Sequence, residues 1–600
     1  MGTAFSIDTP VKVAHYGISS VISLVDDSLI EEMRKHYCAL RGEVYTPITK
    51  YDHDYRARRI TEYLNLVDRI VAEKFEQVRN SCFEIGSEIT KYFEMISNNS
   101  PIKQLYQQMI KIQDPILKRQ LQDRLRSMMR PGDINVNIMT KLDRDNLDAK
   151  KNPLPAEFSD ALSALRGYAE STLNSAIVFS AGINRRLYSY VEKFDDFYAD
   201  AAGFIKKRII LKVSDYRSSI IQGRFFAKKG LWISEYRVES GLNCGGHAFA
   251  SDGYLMGPIL EEFKQKKTQL MEDLHAVYTK ACAAINRKTF DKPHSVEITA
   301  QGGIGTAKEN QFLLDYYKLD STGWATPFLL VPEATNVDEP TLKKLVDAGE
   351  KDLYLSEVSP LGVPFNNLRD NFSDLEKDRR ADAGRPGSAC PKGHLVSNTE
   401  FTDKPICTAS RQYQKLKIDQ LKTMELSPQA FKAIYDKVIT KACICNDLGE
   451  AALINNNVVK NGQRFSAVCP GPNMAYFSKV ATLKEMVDHI YGRINLLNNT
   501  YRPHMFIKEL KLYVDYFIKE VQKSTLEPTA KQIEYLNEFR KNMFDGIQYY
   551  KQLFSKKLEE TSQVHENALA ELQEYKTKLE DFIAKHTHIF TDLQKVVFSA

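Results

Sequence analysis

Apolar residues fall into two rhythms over the first two thirds of the chain. Short, nearly continuous runs recur: INVNIM (134–139), SAIVFSAG (175–182), KRIILKV (207–213), GLWISEYRV (230–238), SVEITAQGG (295–303) and GWATPFLL (323–330). Between them lie longer stretches with apolar residues three and four apart, such as YLMGPILEEFKQKKTQLMEDLHAVY. The first rhythm predicts buried strands and the second predicts amphipathic helices. Alternation of the two predicts a parallel sheet with crossover connections. With the strand-like VKVAHYGISSVISLVDD near the start, the strands number seven or eight. The leading expectation is therefore an α/β fold, a closed (β/α)8 TIM barrel, with a doubly wound open sheet as the alternative.

This pattern covers residues 1–50 and 131–372. Residues 51–130 interrupt it with charged, Gln-rich, helically periodic sequence such as LKRQLQDRLRSMM, and read as a helical insertion. Residues 373–475 turn to Cys, Pro, Gly and Asn with weak periodicity, a loop-rich module. Residues 476–600 are helical again. Ile533, Leu536, Met543, Ile547, Tyr550 and Phe554 trace one stripe, and Leu572, Tyr575, Leu579 and Phe582 another. The heptads are not sustained, so packed hairpins are expected rather than a dimerising coiled coil.

At 600 residues the chain exceeds one hydrophobic core, and several domains are expected. A net charge of +5 is close to neutral at this length, which argues against nucleic acid or a membrane surface as partner. No apolar span is long enough to cross a membrane, and MGTAFSIDTP lacks the layout of a secretory signal. A cytoplasmic location is expected, with the nine cysteines reduced. The partners expected are a small-molecule substrate and a redox partner, and a homodimer is left open.

Chemistry concentrates where strands end. ESGLNCGGHAFA (239–250) places Gly245, Gly246 and His247 directly after an apolar run. Paired glycines let the backbone approach a flat ligand, and His moves protons near neutral pH. A tight turn with a packed His would look the same. ITAQGGIGTAKE (298–309) sets Gly302 and Gly303 between a strand and a helix, where backbone N–H groups can face a phosphate. It is neither a Walker loop nor a full G-x-G-x-x-G. About one strand further on, GWATPFLLVPEATNVDE offers Ala325 and Thr326. In barrels the loops after the last two strands commonly share a phosphate site.

The order and spacing of these pieces resemble the nitronate monooxygenase (2-nitropropane dioxygenase-like) family of FMN-binding barrels. The matching segments are NCGGH (243–247), AQGGI (300–304), ATPFLLVPEA (325–334), SPLGVPFNNLRDNF (359–372) and INVNIM with Asn137. The resemblance implies FMN, its phosphate against Gly302, Gly303, Ala325 and Thr326. It places the ring near Gly17, Asn137, Lys212, Gly245 and Gly246, with His247 as acid/base. The chain departs from the family at Asn243, where a glutamate is usual, at Cys244, and in VAHYGISSV. These positions shape the substrate pocket, so the nitroalkane substrate is the weakest implication.

A second set lies outside the resemblance. Cys390, Cys407, Cys443, Cys445 and Cys469 fall within loop-like sequence, without C-x-x-C spacing. In a reducing compartment such a set points to a metal centre, a [4Fe-4S] cluster ahead of zinc with His394 as a further ligand, against buried thiols acting as small hydrophobes. The leading expectation is an FMN-dependent oxidoreductase. The alternatives are a flavin and iron–sulfur reductase of a C=C or C=N bond, and an inactive barrel scaffold that binds a partner through its helices.

Overall fold

Strands β1 (Ser20–Ser23), β2 (Ile134–Ile138), β3 (Ser175–Phe179), β4 (Lys207–Val213), β5 (Ile233–Glu239), β6 (Glu297–Gln301) and β7 (Ser321–Gly323) form one sheet in the computed structural model. The structure describes residues 3–590 apart from 140–142, 149–151, 181, 244, 249–251, 460–465, 524–528, 557–561 and 588. Cys244 is thus outside the described residues. The strands pair in sequential order, and every pair is parallel. SAIVF in β3 is buried at each position, as a strand covered on both faces must be.

Sequential order decides between the two expected topologies. A doubly wound sheet reverses its strand order at a switch point, and this sheet does not. Right-handed crossovers then set the connections on one face, and the sheet curls. It does not close. Among the described residues β7 pairs with β6 alone, so the fold is a half-barrel rather than the closed eight-stranded barrel expected.

Two local features explain the shortfall. GWATPFLL was expected as a strand, but it contributes one residue to β7 and then winds into a 3-10 helix, Thr326–Leu330. Pro327 removes a ladder donor and presets a helical φ. In place of an eighth parallel strand the chain makes an antiparallel hairpin, β8 (Leu353–Ser356) and β9 (Phe365–Leu368). At the N-terminus, VKVAHYG forms a helix (Thr9–Val13) and a 3-10 turn, leaving β1 only four residues long. That segment is tied to the chain beyond β7. Asn336 N donates to Phe5 O at 2.9 Å, and Thr9 Oγ1 donates to Ala334 O at 2.6 Å.

After the helix Asp27–Arg41, four more helices, Tyr55–Asn80, Glu88–Glu94, Pro101–Lys111 and Pro115–Met128, intervene between β1 and β2. These four carry a small core of their own around Phe75, Phe93, Tyr106 and Leu125. The first also packs on Asp160–Ala169 at Gly167, where a Cβ would lie 2.7 Å from Ala57 O. The last helices, Met505–Lys523, Ala530–Ser555 and Ser562–Ala584, bury Leu536, Met543, Tyr550 and Leu579 in the same core as the sheet. Their stripes face this chain's own core. No helix among the described residues is long and apolar enough to cross a membrane.

His15 sits beneath β1 with its Nδ1 buried and unpartnered. Burial, and then Lys74, push its imidazole down to about 4. A histidine with a lowered folded pKa binds its proton more readily when unfolded, so stability is lost as pH falls from about 6.5 to 4. Discounted for solvent, the loss is about 1–3 kcal/mol. His15→Phe is expected to flatten that part of the stability–pH curve, measured by urea unfolding at several pH values.

Candidate active site

The C-terminal ends of β5, β6 and β7 converge on one site. Gly302 and Gly303 follow β6 with φ of +92° and +80°. A Cβ on Gly302 would lie 2.8 Å from Asn243 Cα, so the two loops touch backbone to backbone. Thr326, after β7, accepts a hydrogen bond from Gly471 N at 3.2 Å. Gly471 itself lies against Asn243 O. The segment 468–473, VCPGPN, therefore covers the glycine loops.

The glycine loop is held by its carbonyls. Asn473 Nδ2 donates to Gly303 O at 2.7 Å and to Ile304 O at 2.9 Å, and Arg502 also donates to Gly303 O. A planar trans peptide then points the Ile304 N–H the other way. Among the described residues the amides of Gly302, Gly303, Ile304, Ala325 and Thr326 make no turn, loop or cap hydrogen bond. Gly302, Gly303, Ile304 and Thr326 are buried. Backbone N–H groups without loop partners, close together at strand ends, are the kind of group that can face an anion.

Behind the loop is a buried ion pair. Arg502 meets Glu309 with both carboxylate oxygens engaged, at 2.6 and 2.9 Å. Glu309 also accepts from Gly305 N and Met505 N. Burial pushes the Glu309 carboxyl up, but Arg502 and then His504 hold it below the ordinary value.

His247 is fixed by the β8–β9 hairpin. It bridges to Phe365, whose ring stands edge-on at 5.1 Å, and its Nε2 lies 2.7 Å from Ser359 Oγ. Asn243 explains its departure from the expected glutamate. Its amide nitrogen donates to His247 O at 2.8 Å, while its oxygen accepts from Gly245 N and from Asn366 Nδ2. An ionised glutamate has no donor for the first bond. Gly245, at φ +113°, passes so close to Cys469 that a Cβ would sit 2.1 Å from the Cys469 carbonyl oxygen. From the C-terminal helices, Glu509 fastens the same loop by accepting from Ser240 Oγ, Gly241 N and Met256 N.

Lys212 ends β4 and pairs with Glu239 at 2.5 Å, and Gln301 donates to the other oxygen of Glu239. Asn137 ends β2 on the same rim, beside Ser23 and Val178. Gly17 does not belong here. It precedes β1 and packs against Tyr92 and the Arg130 carbonyl, at the opposite end of the sheet. The expectation for Gly17 assumed a strand through VAHYG, and the strand begins later.

The cysteines separate into two groups. Cys469 belongs to the glycine site, next to Gly245. Cys390, Cys407, Cys443 and Cys445 lie in the loop-rich module, where Cys443 lines a cavity of about 680 Å³ with Ser388, Lys392 and Asn446. The ring nitrogens of His394 are buried, with Nε2 3.7 Å from Asp26, too far for a hydrogen bond.

Arg502, Asn473 and Glu509 had no signal in the sequence, because they come from segments read only as loop and helix. No protein-family model and no curated protein matches the chain. Among solved structures, the enoyl reductase domain of MlnA from the macrolactin biosynthesis cluster of Bacillus amyloliquefaciens aligns with 75% of this chain and 88% of that one. The identity is 13% and the TM-score 0.31. A likeness of that size decides neither fold nor function, and the comparisons do not support the nitronate monooxygenase resemblance.

Proposed function

We propose that the chain is an FMN-dependent oxidoreductase whose site spans the ends of β5, β6 and β7. The observation that carries this reading is the set of backbone amides at the buried residues Gly302, Gly303, Ile304 and Thr326, without loop partners, one loop away from His247. These residues fit a phosphate, and Ala325 extends the cradle. Bound FMN would supply the redox chemistry. Gly245 and Gly246 form the turn that carries His247, with Gly245 packed under the Cys469 carbonyl. The Lys212–Glu239–Gln301 chain sets a charged edge beside it. His247 holds or moves a proton at Nε2, with Ser359 Oγ fixing the ring. The residues that cover the site, 468–473, limit access of water from that side.

Reduction of a C=C or C=N bond is the substrate reading favoured over nitronate oxidation. The motif glutamate is replaced by Asn243, whose amide is spent on holding the loop.

Gly302→Ala tests the cradle. The added Cβ meets backbone, and φ of +92° is costly for alanine. FMN affinity is expected to fall about 10–100-fold, measured by fluorescence quenching on titration with FMN. Gly349→Ala, at an ordinary φ with nothing nearer than 3.7 Å, serves as the control. A wild-type chain that takes up no FMN would overturn the proposal.

A further inference from the structure

Three successive carbonyls of the glycine loop are held by side chains from the last third of the chain. Asn473 and Arg502 hold those of Gly303 and Ile304. The carbonyl of Gly305 belongs to His489. This histidine lies at the end of the helix Leu483–Ile490 and is 2% exposed. Its Nε2 lies 3.1 Å from Gly305 O, and its Nδ1 lies 3.2 Å from Leu496 N. A backbone carbonyl only accepts and a backbone N–H only donates. The ring is therefore neutral, with its proton on Nε2, and both nitrogens are engaged. Trp324, next to Ala325 of the cradle, and Phe477 stand edge-on to the ring at 6.1 and 5.3 Å.

The surroundings resist a second proton. Burial disfavours the imidazolium first, and Arg502 adds to it. The Gly305 and Ile494 carbonyls and Glu309 act the other way, but Glu309 already meets Arg502 with both oxygens. On the histidine's own helix, Asp488 is engaged by Lys484 at 2.6 Å and by Arg493 at 2.8 Å. The balance holds the imidazole below its ordinary value. A second proton would sit on Nδ1, donor against donor with the Leu496 N–H.

We propose that His489 positions the glycine loop, and that it does so only as the neutral imidazole. Neutral, it fixes the Gly305–Thr306 peptide, and Thr306 caps the helix Ala307–Tyr316. Charged, its Nδ1–H displaces the Leu496 amide, the ring leaves its seat, and the loop loses its third carbonyl tether. The grip of the cradle on a phosphate then weakens as pH falls. That consequence rests on the flavin reading, whereas the titration of His489 and its hold on the loop do not.

The chain has two tryptophans, Trp232 and Trp324, so Trp232→Phe leaves Trp324 as the sole emitter. An imidazolium beside an indole quenches its fluorescence more than the neutral ring does. Emission of Trp232→Phe is expected to fall as pH drops below about 6.5, and to stay flat when His489→Gln is added. Glutamine keeps a donor for Gly305 O and does not titrate. FMN affinity of wild type and His489→Gln is then compared by flavin fluorescence. The FMN phosphate itself gains a proton near about pH 6, and His15 and His247 are present in both chains, so the difference between the two is the readout. Between about pH 7.5 and about pH 5.5 wild type is expected to lose about 3–10-fold more affinity than His489→Gln, the worth of about one hydrogen bond. Equal losses would overturn the proposal, and so would a Trp324 emission in Trp232→Phe that does not change with pH. Should His489→Gln fail to fold, that Trp324 titration decides alone. A chain that takes up no FMN at any pH would overturn the flavin reading. The hold on the loop is then read from hydrogen exchange of residues 298–309, corrected for the intrinsic rate. Exchange that quickens across the Trp324 transition supports His489 as the tether, and unchanged exchange overturns it.

Discussion

Arg502→Met is expected to destabilise the folded chain by about 3–5 kcal/mol, because it leaves a carboxylate buried without its cation. Both partners are nearly sealed, with side-chain exposures of 6% for Arg502 and 4% for Glu309. The arginine also donates to Gly303 O, so the glycine loop loses a tether as well. The Glu309 variant gives the other half of a double-mutant cycle. Glu309→Gln removes the charge but keeps an oxygen for Gly305 N and Met505 N. The double variant is expected to be less damaged than the two singles summed, by about 1–3 kcal/mol. Urea unfolding of the four proteins checks this. Singles that sum to the double within about 0.5 kcal/mol would mean the pair is not coupled.

How much of this was legible in the sequence depends on which contacts are local. β2 to β6 lie where short apolar runs predicted them, because burial on both faces leaves a continuous signal. Glycines 302 and 303 were legible for a similar reason: a strand-to-helix turn with positive φ demands glycine, and the demand is written at the site itself. Closure of the barrel was not legible. It depended on GWATPFLL, whose apolar count suits a strand while Pro327 directs a 3-10 turn. Gly17 was misplaced because a run such as VKVAHYG has the same composition as a strand and the periodicity of neither element.

The site's supports were invisible because they are long-range. Arg502 lies nearly 200 positions from Glu309, and Glu509 some 270 from Ser240. Neither sits in a motif, since a buried ion pair needs only that two distant segments meet. Asn243 was visible as a departure but not as a solution. Its amide donates to His247 O and accepts from Gly245 N within its own loop, and the hairpin adds Asn366 as a second donor to its oxygen. The cysteine set shows the reverse case. Composition marked five candidates, and chain geometry divides them, because Cys469 follows the glycine cover while the other four follow the 388–410 bridge and the helix start.

His247→Ala is expected to lower turnover by about 10²–10⁴-fold while leaving FMN binding nearly unchanged. The imidazole is held from two sides, by the edge-on Phe365 ring and by Ser359, so its position does not depend on the ligand. Removing it deletes the proton-transfer group but none of the amides proposed to face the phosphate. Turnover is to be followed with an α,β-unsaturated carbonyl probe after dithionite reduction, and separately with a nitronate probe in air. The two differ in what they ask of His247. Saturating a C=C bond needs a proton delivered to carbon, so the rate falls as pH rises and the imidazolium is lost. Abstracting a proton from a nitroalkane needs the neutral ring, so the rate falls as pH drops. The first profile is expected. Ser359→Ala is expected to cost less than His247→Ala and to shift the profile, because it frees the ring without removing it. Equal turnover in wild type and His247→Ala on both probes would remove His247 from the chemistry and leave it a residue that locks the hairpin to the β5 loop.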